Sequence, residues 1–267
     1  MHALARTRSL NRLATARRIN TAADDPAGLI ASQSLDATLA ALDAETRANE
    51  RAVVEADTAD GALGEISDML AQAKGLVVAN ANDAGLSADE KAANQLQLDS
   101  ILSTVDRVSS STSFLGRKLL DGSGSVGASG ATFAIAGTSS SRIGKTTDTG
   151  TTYSLADLKS GKALNVTSGN VNLAGDVIDQ AISDVSTIRG GLGAFQTYTL
   201  QARLSGIATA REHLTRTVSM IRDTDYAAEV SNDIRTKLLT SATYSAQKQS
   251  NGRRPGLPPG SIFSIRA

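Results

Sequence analysis

LDATLAALDAETRANERAVVEADTADGALGEISDMLAQAKGLV, residues 35–77, decides the fold. In steps of four and three it runs through Leu35, Leu39, Leu42, Thr46, Asn49, Val53, Ala56, Asp60, Leu63, Ser67, Leu70, Lys74 and Val77, and eight of these 13 positions are apolar. That spacing lines up one side of an α-helix and does not fit the alternation of a strand. A helix with such a stripe must bury it against another helix. Polar residues within the stripe cost stability but fix the register of the pairing.

Toward the amino terminus, Ala23-Asp24-Asp25-Pro26 marks the start of this helix, with Asp25 placed to cap free amides and Pro26 as the first helical residue. No proline occurs between Pro26 and Pro255, which permits very long helices. Toward the carboxy terminus the helix breaks at Asn80-Ala81-Asn82-Asp83-Ala84-Gly85. Ser87-Ala88-Asp89-Glu90 then has the form of a capping box, opening a second helix with Leu98, Ile101, Leu102, Val105 and Val108 on its apolar side. Eleven of the 23 glycines fall between Gly116 and Gly175, so a polar insert follows. Thr132–Ala136 and Ala163–Thr167 read as short strands within it, enough for a small hairpin or two. A second helical arm resumes near Ala174 with Ile178, Ile182, Val185, Leu192 and Phe195, then Leu200, Leu204, Ile207, Arg211, Leu214, Val218 and Ile221. The expected architecture is mainly α: a long antiparallel helical rod with a small β and loop insert at one end.

Composition narrows the function. The 267 residues carry 27 basic and 27 acidic side chains, so the basic excess of a general nucleic-acid binder is missing. With no cysteine there is neither a disulfide framework nor a thiolate metal site. His2 and His213 alone offer little to a histidine-based zinc site or a catalytic triad. No Gly-rich phosphate loop or nucleophile–base pair stands out, and no enzyme, metal or cofactor is expected. No stretch approaches the roughly 18 apolar residues of a membrane span. The Arg-rich start, with Arg6, Arg8, Arg12, Arg17 and Arg18, lacks the apolar core of a signal peptide, so any export proceeds without a cleaved one.

Three segments carry a family resemblance. Ser9-Leu10-Asn11-Arg12-Leu13 through Arg17-Arg18-Ile19-Asn20-Thr21-Ala22-Ala23-Asp24-Asp25-Pro26-Ala27-Gly28-Leu29 closely resembles the amino-terminal signature of bacterial flagellins. Ser219-Met220-Ile221-Arg222-Asp223-Thr224-Asp225-Tyr226-Ala227-Ala228-Glu229 resembles their carboxy-terminal signature. Val105-Asp106-Arg107-Val108 with Phe114-Leu115-Gly116-Arg117-Lys118-Leu119-Leu120-Asp121-Gly122 is similar to the place where the family closes its first helical lobe. The resemblance implies a structural subunit that polymerises with itself into the extracellular flagellar filament used for swimming. It implies an export chaperone, a filament cap and hook-associated proteins as partners, with no nucleic acid and no membrane insertion. It also implies five segments: an inner-layer piece (1–25), a first arm (26–120), a surface-exposed insert (121–173), a second arm (174–229) and a divergent end (230–267). The alternatives are the hook–filament junction protein, disfavoured by Ile221–Tyr226, and a flagellin-like surface binding protein.

Within these motifs Asp24, Asp25, Pro26, Gly28 and Leu29 read as a helix start and as assembly residues at once. Arg17, Arg18, Arg222, Asp223 and Asp225 are candidates for salt bridges between subunits, against the plainer reading of solvated charges worth little. Ile19, Asn20, Asp106, Arg107 and Tyr226 complete the candidate assembly set. Arg211 is expected to extend its stem outward, and His213 to lie on a solvated face. The insert's Ser and Thr residues suit O-linked sugars or a plain polar loop, while Asn165-Val166-Thr167 is a chance-level glycosylation triplet. The Ser-Leu run lies close to Met1, and Asn251 to Gly260 carries three prolines where the family has a Leu-rich helix, so both ends depart from the pattern. Many flagellins present an Arg and a Glu to an animal innate receptor. The corresponding positions here are Gln72 and Gln97, with only Leu76 retained, which implies weak activation.

Overall fold

The computed structural model describes residues 2–81, 85–167 and 169–252. It is mainly α-helical, as the periodicity predicts, with long helices packing antiparallel and small hairpins between them. The helices are α1 (His2–Thr15), α2 (Pro26–Ala81), α3 (Ala88–Ser111), α4 (Val171–Phe195), α5 (Ala202–Arg222) and α6 (Tyr226–Gly252). A π-helical turn, Gln196–Gln201, joins α4 to α5. The described residues fall into two compact units, one drawn from 1–41 and 210–267 and the other from 42–209.

The larger unit holds the apolar core. Ala56, Leu63, Leu70, Val77, Leu98, Leu102, Val105, Ile178, Val185 and Leu192 from α2, α3 and α4 are all buried in one cluster. The predicted α2 stripe is right in one of its two lines. Asn49, Ala56, Leu63, Leu70 and Val77 are buried, but the line between them is Ala52, Ala59, Ile66 and Ala73 rather than Val53, Asp60, Ser67 and Lys74. Three alanines make that line, and small side chains let the helices approach closely while adding little to an apolar pattern. The polar positions on the other line flank the seam and fix its register from outside. Arg189 clasps the Asp60 carboxylate with bonds of 2.9 and 3.2 Å, and Lys74 meets Asp179 at 2.5 Å. Residue numbers fall along α2 as they rise along α4, so the two helices run antiparallel.

Local signals are honoured at the helix ends. Ser87 and Glu90 form the expected capping box at α3, and the Asn170 side chain caps α4 by accepting from the Leu173 amide. Between α3 and α4 lie three two-stranded hairpins: β1 (Ser113–Phe114) with β2 (Arg117–Lys118), β3 (Ser125–Ala128) with β4 (Ala131–Ala134), and β5 (Thr146–Asp148) with β6 (Thr151–Tyr153). Their tight turns place Leu115-Gly116, Ser129-Gly130 and Thr149-Gly150 at positive φ, the conformation of a type I′ hairpin turn. The predicted strand at Ala163–Thr167 does not form. Leu164 and Val166 are buried as an alternating pair would be, but the Val166 amide donates to the Gln95 side chain of α3 and not to a neighbouring strand. The insert is tied down elsewhere too: Asp106 accepts from the Ser140 amide, the Ser140 hydroxyl and Lys159, while Asp99 accepts from the Ser160 amide. Leu155, Leu158, Ile135 and Ile143 sink into the same core.

Candidate functional site

In the smaller unit the two sequence signatures meet. α1 ends at Thr15, and Ala16 turns the chain with φ of 56°. The following residues run beside the end of α5. The Arg18 amide donates to the Arg222 carbonyl at 2.6 Å, the Thr224 amide donates to the Ala16 carbonyl at 3.1 Å, and Arg17 and Asp223 form an isolated antiparallel bridge. Side chains reinforce this clamp. The Arg18 guanidinium donates to the Ile221 carbonyl at 2.8 Å, and Arg222 reaches Asp36 on α2 at 2.8 Å. Candidates proposed for contacts between subunits thus make contacts within one chain, joining residues about two hundred positions apart.

The Asp-Asp-Pro motif explains itself locally. One Asp24 oxygen accepts from the amides of Asn20 and Thr21 and from the Thr21 hydroxyl, tightening the loop. The Thr21 amide and hydroxyl, then the Asn20 amide, hold the Asp24 carboxyl below its ordinary range. Asp25 caps α2 by accepting from the Gly28 amide at 2.9 Å, with Pro26 as the first helical residue. Gly28 is closely surrounded: a Cβ there would lie 2.6 Å from Ile19 Cδ1 and 2.5 Å from Asp25 Oδ2, so one or both side chains would have to shift. Ile19, only 1 % exposed, is the single buried apolar side chain among the described residues of this unit. The Asn20 side chain donates to the Arg17 carbonyl, and the Leu29 carbonyl accepts from the Ser32 hydroxyl. The carboxy-terminal motif repeats the device: Asp225 accepts from the Ala228 amide at 3.0 Å, and Tyr226 opens α6. Asp223 accepts from the Ser219 hydroxyl.

Asp106 and Arg107 lie in the other unit and do not join this clamp. Asp106 anchors the insert, and Arg107 is exposed. Arg211 and His213 are exposed, as expected. Beyond Gly252 the tail whose divergence was noted lies outside the described residues.

Sequence reasoning missed the contacts that pair α1 with α6. Arg12 faces Glu229 at 3.8 Å, Arg6 faces Asp233 at 3.7 Å, and the Ser9 hydroxyl donates to the Glu229 carbonyl. Ser9, Glu229 and Asp233 are themselves nearly buried. Pairing numbers fall on α1 as they rise on α6, so these helices are antiparallel as well. The available signal was an acid-free α1 opposite Glu229 and Asp233, one helical turn apart. Large apolar side chains stay outside this polar pairing: Leu10, Ile30, Ile234, Leu238, Leu239 and Tyr244 are between 46 % and 70 % exposed.

A helical chain whose ends are clamped together by polar bonds, with apolar side chains left outward, is a subunit of a larger assembly. Residues 3–125 match the bacterial flagellin N-terminal helical region and residues 176–253 match the C-terminal helical region. The chain belongs to the bacterial flagellin family. It is 28 % identical to a flagellin of Halalkalibacterium halodurans over 91 % of this chain and 87 % of that protein. It is 29 % identical to a flagellin of Bacillus subtilis over 91 % of this chain and 88 % of that protein. A solved structure from Vibrio parahaemolyticus, described as a flagellar hook-associated protein, has the same fold, with a TM-score of 0.56 and 16 % identity over 74 % of this chain and 99 % of that one. The protein is therefore a structural, non-enzymatic subunit of the extracellular flagellar filament. No helix among the described residues is long and apolar enough to cross a membrane.

Proposed function

We propose that the clamp acts in assembly by holding α1 and α6 side by side, so that their outward apolar side chains are offered to neighbouring copies of the chain. The observation that carries this reading is the inverted polarity of the pair: charged groups are buried between the helices while Ile234, Leu238 and Leu239 face out. Burying one such leucine is worth about 1.5–3 kcal/mol, so a few per subunit supply a sizeable share of the contact with neighbouring copies. Arg17, Arg18, Arg222 and Asp223 then serve assembly indirectly, as positioning residues. Before secretion the same α6 face suits an export chaperone. The filament cap and the hook-associated proteins are the expected neighbours at the filament's ends.

A Leu238→Glu variant tests this. It should fold, because Leu238 is 64 % exposed, yet fail to extend filament seeds. Elongation at the rate of the unaltered chain would sink the assignment.

A further inference from the structure

The second arm contains a one-residue irregularity that the family assignment does not use. Ile178, Val185 and Leu192 are buried at intervals of seven, which would place Thr199 next. The fully buried residue is instead Leu200, and the interval of seven resumes from there to Ile207. Ile182 and Leu204 show the same offset on the neighbouring line. One residue too many therefore lies between Leu192 and Leu200. The π-helical turn Gln196–Gln201 sits at that point and is the one such stretch among the described residues. A π turn holds one more residue than an α turn, so the stripe passes through it without rotating off the core.

Residues on either side of the turn form the seat of the β3–β4 hairpin. Phe195 stacks on Phe133 of β4 with ring centroids 5.9 Å apart, and Arg203 donates to the Ser129 carbonyl in the hairpin turn at 2.8 Å. Gly191 lies under the Phe133 ring, where a Cβ would come within 2.9 Å. Phe195 and Arg203 are eight residues apart, which in an unbroken α-helix would set them about 80° apart around the axis. With the extra residue absorbed between them, both reach the one hairpin. Tyr198, in the middle of the turn, is 79 % exposed.

We propose that Gln196–Gln201 is a built-in yielding turn. It stores one residue surplus to the helical repeat, and the surplus can be removed without disturbing the packing on either side. It interrupts the i→i+4 ladder of the flanking helices, and Leu200 is its one buried residue, so the arm opens here first. The hairpin rides on the place that opens.

Two single-residue deletions in the full chain test this, read by thermal melting and by amide hydrogen exchange. Deleting Tyr198 brings Leu192 and Leu200 seven apart in a continuous α-helix. The melting temperature should stay within about 3 °C of the parent, and exchange across residues 199–203 should slow at least about threefold. Deleting Ser186 rotates Leu192, Phe195 and Arg189 off their partners and should lower the melting temperature by about 6 °C or more. In the parent, amides of 198–202 should exchange at least about threefold faster than those of 182–190. Equal damage from the two deletions, equal tolerance of both, or parent exchange no faster at 198–202 would each overturn the proposal.

Discussion

Replacing Gly28 with alanine should loosen the start of α2, although alanine is the better helix former. Intrinsic propensity favours the change by up to about 1 kcal/mol. Against it stand the two approaches at the new methyl, 2.6 Å to Ile19 Cδ1 and 2.5 Å to Asp25 Oδ2, both well inside van der Waals contact. Both must give way at once: shifting Ile19 loses part of a burial worth about 1.5–3 kcal/mol in full, and turning the Asp25 carboxylate weakens a cap worth about 1 kcal/mol. The net loss is about 1–2 kcal/mol. In hydrogen exchange this appears as a roughly five- to thirtyfold faster opening of the first two turns of α2. Trimming Ile19 to alanine removes one of the two clashes. Gly28→Ala should therefore cost at least about 1 kcal/mol less in an Ile19→Ala background than in the parent. Unchanged or slower exchange in the single Gly28→Ala variant, or strict additivity in the double variant, would refute the reasoning.

Other consequences follow from the larger unit. Leu115 and Thr149 occupy left-handed turn positions that asparagine adopts more readily, so Leu115→Asn and Thr149→Asn should each stabilise by about 1 kcal/mol and raise the melting temperature by about 2–4 °C. A fall in melting temperature would show that the turns are held by something else. Burial pushes the Asp106 carboxyl up, but Lys159 and the Ser140 amide and hydroxyl outweigh it and leave it lowered. A lowered carboxyl contributes stability that is present above about pH 4 and lost as pH falls through its folded value. The melting-temperature gap between the parent and Asp106→Asn should therefore shrink on acidification from pH 6 to pH 3, and a constant gap would contradict this. Gln72 and Gln97 are exposed and Leu76 is half-buried. The chain should activate the innate receptor of many flagellins only weakly in reporter cells, and Gln72→Arg with Gln97→Glu should raise the response.

What the sequence made legible was whatever acts over a few residues. Asp25-Pro26 and Ser87 with Glu90 are local capping signals, and both stand in the structure as read. The helical stripes were legible where large aliphatics formed them. The Ala52, Ala59 and Ala73 line was missed because alanine is common on every face of a helix. Alternation at Leu164 and Val166 reported burial truthfully but not a strand, since any extended segment on a core alternates. The clamp left no trace in the pattern: its central bonds, Arg18 amide to Arg222 carbonyl and Thr224 amide to Ala16 carbonyl, are backbone bonds to which side-chain identity contributes nothing. The motifs around it were visible, but not that Arg18 and Arg222 bond to each other's segments within one chain.

Self-polymerisation is read out by seeded elongation. Purified chain is added to short fragments of flagellar filament from the same organism, and growth is followed by light scattering and electron microscopy. The fragments should lengthen with added chain if the chain is a filament subunit. Fragments that stay at their starting length, with the chain folded and in excess, would contradict self-polymerisation.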